Sequence, residues 1–154
     1  MLYTYRASNY CEDCGKALIR AMPASSVPDN PQDLYSYDSG EFPKPYSGEN
    51  RTDSPEHCTS GESCYNAIRV PGAPGEITPR YVGAILSDGL TDSGVDYVVE
   101  AILYSLEDGE VYGVDVQVWF PEFRDQIETV LSGRSNEGKA LAGLLTVITD
   151  GVIF

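Results

Sequence analysis

Two stretches decide how this chain is read: Tyr10-Cys11-Glu12-Asp13-Cys14-Gly15, and His57-Cys58-Thr59-Ser60-Gly61-Glu62-Ser63-Cys64. Together they hold all four cysteines of the 154-residue chain. The first pair has the C-x-x-C-G form of a zinc knuckle. Two thiolates separated by two residues can turn onto one ion, and Gly15 lets the backbone fold beneath it. The second pair is C-x-x-x-x-x-C, a looser spacing with Gly61 at its middle. A closed structural zinc site takes four ligands, and Cys11, Cys14, Cys58 and Cys64 supply that number with none to spare. His57, the one histidine of the chain, stands next to Cys58 and could replace a sulfur.

The same four residues could instead form two disulfides, in any of three pairings. A C-x-x-C can also be a redox pair whose first thiol has a lowered pKa. Glu12 and Asp13 disfavour a thiolate nucleophile. Residues 1–6 show no basic start leading into an apolar run, so a signal peptide is not expected, and a cytosolic chain keeps its thiols reduced. Structural zinc that closes the N-terminal part is therefore the expectation.

Outside the cysteines the chain divides by composition. Residues 1–80 carry 11 acids and 7 bases, residues 81–154 carry 13 acids and 3 bases, and nine of the ten prolines lie at or before Pro79. A length of 154 residues suits one domain or one domain with a small appended module. The expected organisation is a zinc-knuckle region at 1–70 with a proline-rich insertion at 23–56. A linker follows at 71–80, marked by Pro71-Gly72-Ala73-Pro74-Gly75, and then an acidic part at 81–154. The net charge of −14 disfavours direct binding to nucleic acid or to an anionic membrane surface. No apolar run approaches the ~20 residues that span a bilayer. A soluble, cytoplasmic protein is expected.

Local patterns predict an α+β fold. Residues 2–10, with Leu2, Tyr3, Tyr5 and Tyr10, favour a short strand into the first knuckle. Lys16–Met22 fits a strand or two helical turns. The insertion reads either as a solvated loop or as a contact loop carrying Tyr35, Tyr37, Phe42 and Tyr46. The clearest element is a helix from Thr91 or Asp92 to Glu107. Val95, Val98, Val99, Ile102, Leu103 and Leu106 form its apolar stripe, Ser93-x-x-Asp96 suits its start, and Asp108-Gly109 suits its stop. Val114, Val116, Val118 and Phe120 alternate with Asp115, Gln117 and Trp119 and predict a half-buried strand halted by Pro121. Residues 122–131 look helical. Beyond Ala140, Lys139–Ala142 favours a helix, whereas Thr146–Thr149 and Val152–Phe154 favour strands about an Asp150-Gly151 turn.

Familiar catalytic signatures are missing. There is no phosphate-binding glycine loop between a strand and a helix, no G-x-S-x-G and no H-E-x-x-H. Acids are abundant enough that chance carboxylate pairs carry no weight. One row is ordered, however: Asp92, Asp96 and Glu100 recur every four residues along one side of the predicted helix, and Tyr104 continues the row. It reads as a solvated face, or as a surface that imitates a nucleic-acid backbone and binds a basic groove on a host or defence protein.

Three pieces together, Tyr10–Gly15, Ser54–Cys58 with Cys64, and Leu90–Val99, resemble a group of small, uncharacterised phage- and prophage-encoded proteins. In that group a zinc-ribbon-like pair of cysteine motifs precedes an L-T-x-D-G-x-x-Y-V helix start. Cys11, Cys14 and Cys58 match by position, and Cys64 lies three residues beyond the place of the usual fourth ligand. The resemblance implies structural zinc, a phage-linked origin and no catalytic activity. The expected function is a non-catalytic acidic interaction protein. The alternatives are a small metal-dependent hydrolase using carboxylates near the cysteines, and a secreted disulfide module.

Overall fold

The computed structural model describes residues 1–76 and 78–153, with side chains as far as 147. In chain order the elements are β1 (Leu2–Tyr5), β2 (Ser8–Cys11), α1 (Glu12–Ala21), β3 (Lys44–Tyr46), β4 (Arg51–Thr52), β5 (Ile68–Val70), β6 (Arg80–Val82), β7 (Gly89–Leu90), α2 (Asp92–Glu107), α3 (Phe120–Arg134) and α4 (Asn136–Ile153). Helices and strands are both present, as an α+β chain requires. The chain forms two units with interleaved boundaries. One comprises Met1–Glu49, Glu56–Ile68 and Tyr81–Leu86; the other comprises Asn50–Pro55, Arg69–Arg80 and Ser87–Phe154. Residues 71–80, expected as a linker, lie within the second unit.

The first unit is built on a three-stranded antiparallel sheet in the order β2-β1-β3. The single strand expected over residues 2–10 is a hairpin, with Leu2 opposite Cys11 and Tyr5 opposite Ser8. Its two-residue turn is Arg6-Ala7, at φ 49° and 62°. Positive φ at both turn residues matches the right-handed twist of the strands, although Gly or Asn usually takes these positions. The Arg6 N–H is held by the Ser39 carbonyl at 3.0 Å. Lys16–Ala21 is helical, as part of α1. Gly15 lies against the Tyr3 ring, which occupies the space a Cβ would need.

The proline-rich insertion is not solvated along its length. Lys44–Tyr46 adds the third strand, with Tyr46 opposite Leu2. Tyr37 and Phe42 are buried and meet edge to face with centroids 5.8 Å apart. Tyr35, by contrast, is fully exposed.

The second unit is mainly helical. β4 and β7 pair in parallel, Thr52 opposite Leu90, and deliver the chain to α2. Thr91 caps this helix, its hydroxyl accepting the Gly94 N–H at 3.1 Å, so the start lies two residues before Ser93. Val95, Val98, Val99 and Ile102 are buried, whereas Leu106 is half-buried and Leu103 is exposed, so the apolar stripe is narrower than its sequence pattern. Gly109, at φ 75°, supplies the left-handed residue after the helix end.

Two elements differ from expectation. Residues 115–119 form a π-helical turn that runs into α3, not a strand. The Phe120 N–H reaches back five residues to the Asp115 carbonyl. Pro121 has no N–H to give the Gln117 carbonyl, and its ring crowds that group, so a wider turn relieves the ladder there. All of Asp115–Val118 is buried. The Asp115 carboxylate takes the Ser105 hydroxyl at 2.5 Å, and the Gln117 amide donates to the Val111 carbonyl at 2.7 Å. The strands expected near Thr146–Thr149 and Val152–Phe154 are replaced by α4, which packs on α3 through Ala142 and Leu145; residue 154 lies outside the described residues. No helix among the described residues is long and apolar enough to cross a membrane.

Candidate metal centre

The four cysteines converge in the first unit. Their sulfurs all lie within 4.8 Å of one another, every one is buried, and none forms a disulfide. They could therefore hold a metal ion.

Each half of the site has a local cause. Cys11 is the N-cap of α1 and Cys14 sits in its first turn. The C-x-x-C spacing thus places both sulfurs at the positive end of a helix, where negative charge is stabilised. The Cys11 sulfur makes no capping bond to the helix, which leaves it for the site. The wider spacing of the second pair is taken up by consecutive tight turns. Gly61 N–H bonds the Cys58 carbonyl at 3.0 Å, and Cys64 N–H bonds the Gly61 carbonyl at 3.1 Å. Gly61 takes φ 59° between them, which is where a non-glycine residue would be strained. Residues 58–64 therefore curl, and Cys64 returns to within 3.6 Å of Cys11, sulfur to sulfur.

Each sulfur faces an N–H donor. Cys58 Sγ accepts from the Cys11 N–H at 3.3 Å, Cys14 Sγ from the Tyr65 N–H at 3.5 Å, and Cys64 Sγ from the Asn66 N–H at 3.3 Å. Cys11 Sγ accepts from the Asn66 side-chain amide at 3.5 Å. The same amide reaches the Asp13 carboxylate at 2.9 Å. Such donors favour the thiolate over the thiol and fix ligand orientation. Tyr10, Ala67, Ala84 and Leu86 pack against the cluster and shield it. Burial pushes the Cys64 thiol up to about 12, although the backbone N–H groups of Ala84 and Asn66 act the other way. Four buried thiolates without a cation would thus be unfavourable, and a bound cation removes that penalty.

Asn66 was not singled out in the sequence. Its position two residues after Cys64 is the only signal it gives. His57 is not among the ligand group. Its Nδ1 lies 2.6 Å from the Gly83 carbonyl, and its backbone bridges to Ile85. Neighbours in an extended chain point apart, so Cys58 enters the cluster and His57 does not.

The acidic row lies on the second unit. Asp92, Asp96, Glu100 and Tyr104 are all exposed on α2, Tyr104 at 71%. Its charge is partly answered, because Asp96 accepts a close ion pair from Arg134 of α3. The hydrogen bond to Asp96, then the charges of Asp96 and Asp92, raise the Arg134 guanidinium further above its ordinary value. Tyr97, beside the row, packs against Trp119 with ring centroids 6.0 Å apart.

No protein-family model matches the chain, and neither a curated protein nor a solved structure does so.

Proposed function

We propose that the chain is a zinc-stabilised, non-catalytic interaction protein that presents an acidic face to a basic partner. The observation that carries the zinc reading is the convergence of four buried sulfurs, each with its own N–H donor. Tetrahedral zinc–sulfur bonds of about 2.3 Å set sulfurs roughly 3.8 Å apart. The Cys11–Cys64 separation of 3.6 Å fits that figure. With Cys11, Cys14, Cys58 and Cys64 all ligating, no position remains for a water or substrate, so the metal's role is to hold β2, α1 and residues 58–64 together.

The partner reading rests on the row Asp92, Asp96 and Glu100 with Tyr104, exposed along one helix. A host or defence protein with a basic groove fits that charge, which agrees with the phage-linked resemblance. Charge of this kind steers association and weakens with salt.

Two measurements test the proposal. Elemental analysis of protein purified under reducing conditions is expected to give about one zinc per chain, as one four-ligand site holds. A metal-free product would reject the zinc reading. Proteins captured by the tagged chain are then compared for association rate with the Asp92→Asn, Asp96→Asn, Glu100→Gln variant. Equal rates at low salt would reduce the row to a wet helix face.

A further inference from the structure

The first unit contains a cavity of about 440 Å³ that the metal site does not use. Ten residues of β1, α1 and the proline-rich insertion line it, and none is charged. Tyr37 and Phe42 supply aromatic walls, Pro43 and Pro45 a rigid one, and Leu34 an aliphatic one. The volume falls in the range of small-molecule sites and exceeds the roughly 30 Å³ share of one water more than tenfold.

The two tyrosines differ in how their hydroxyls are satisfied. Tyr37 donates to the Pro31 carbonyl at 3.3 Å. Burial, and then the nearby Tyr3, raise this phenol, which keeps it neutral. Tyr3 also lines the cavity and is only 8% exposed, yet its hydroxyl has no hydrogen-bond partner among the described residues. A phenol hydroxyl with no partner in the protein is open to water or to a ligand. Lys44 is not among the lining residues, and its ammonium group donates to the Tyr37 carbonyl at 3.2 Å.

We propose that this cavity binds a neutral, ring-bearing small molecule whose carbonyl oxygen accepts the Tyr3 hydroxyl. The uncharged lining selects a neutral ligand, the Tyr37 and Phe42 rings select a planar apolar body, and the unpaired donor selects an acceptor.

The test uses the full chain and two probes of one shape. Acetophenone carries a carbonyl, and α-methylstyrene replaces that oxygen with CH₂. Binding is followed by amide chemical shifts of residues around the cavity. Tyr3→Phe is expected to weaken acetophenone about 2- to 10-fold, one neutral hydrogen bond, while leaving α-methylstyrene unchanged. Leu34→Trp fills the space and is expected to abolish both. Absence of shifts with either probe overturns the proposal, as does an equal change for both probes on Tyr3→Phe.

Discussion

Replacing Asn66 tests whether the sulfurs depend on their surroundings as well as on one another. Its side-chain amide donates to Cys11 Sγ at 3.5 Å and to Asp13 at 2.9 Å, whereas its backbone N–H serves Cys64. Asn66→Ala removes the first two bonds and keeps the third. A hydrogen bond to a charged group contributes about 1.5–3 kcal/mol, and the long contact to sulfur argues for the lower end, near a tenfold loss of zinc affinity. The other three sulfurs keep backbone donors, so the loss stays far short of removing a ligand. Asn66→Asp is expected to lose more, because it sets another carboxylate beside Asp13 and the thiolates. Affinity is read by competition with a chromophoric chelator at neutral pH, with the melting temperature of the metal-stripped protein as control. If both variants hold zinc as tightly as the parent, the amide plays no part in the site. If the stripped proteins melt lower by the same margin, the defect is one of folding.

Ile102→Ala, at a fully buried position of α2, is expected to cost about 2–5 kcal/mol in denaturant unfolding, while Leu103→Ala, at a position 39% exposed, is expected to stay within about 0.5 kcal/mol. In metal-free protein the buried Cys64 thiol is raised from 9.0 to about 12, so its contribution is complete below 9.0 and lost as pH rises through that window; the melting temperature should fall there, more than in Cys64→Ser. Arg134→Gln frees Asp96 from its ion pair and should speed association with a basic partner at low salt; an unchanged rate would place the binding surface elsewhere.

The parts legible in the sequence were those whose cause is local. Thiols are few and their chemistry is narrow, so four of them in two clusters pointed to one site although 43 residues separate Cys14 from Cys58. Helix α2 was legible because one of its faces is wet, and a wet face imposes the 3.6-residue period. Asn66 was not legible, since an amide two residues past a cysteine says nothing until the 58–64 curl turns it towards Cys11. The Arg6-Ala7 turn was hidden for the same reason: its residues do not announce positive φ, and the Ser39 carbonyl that holds it comes from a distant stretch.

Period fails where burial is complete. Asp115–Val118 is buried on every side, so alternation of valine with polar residues does not mark one wet face and one dry face. The polar members are satisfied by partners the pattern cannot reveal, Ser105 for Asp115 and the Val111 carbonyl for Gln117. What looked like the two faces of a strand is one helical segment with its polar groups paired internally. Helix α4 shows the complementary failure. Between Lys139 and Asp150 it carries no charge, so β-branched Thr146, Val147, Ile148 and Thr149 stood out as strand formers. Helix propensities among these residues differ by less than about 0.7 kcal/mol each. Packing of Ala142 and Leu145 against α3 outweighs so small a preference: a buried leucine alone contributes about 1.5–3 kcal/mol. The residues misread as strands follow those contacts in the same helix, and cooperative extension of an existing helix carries them with it.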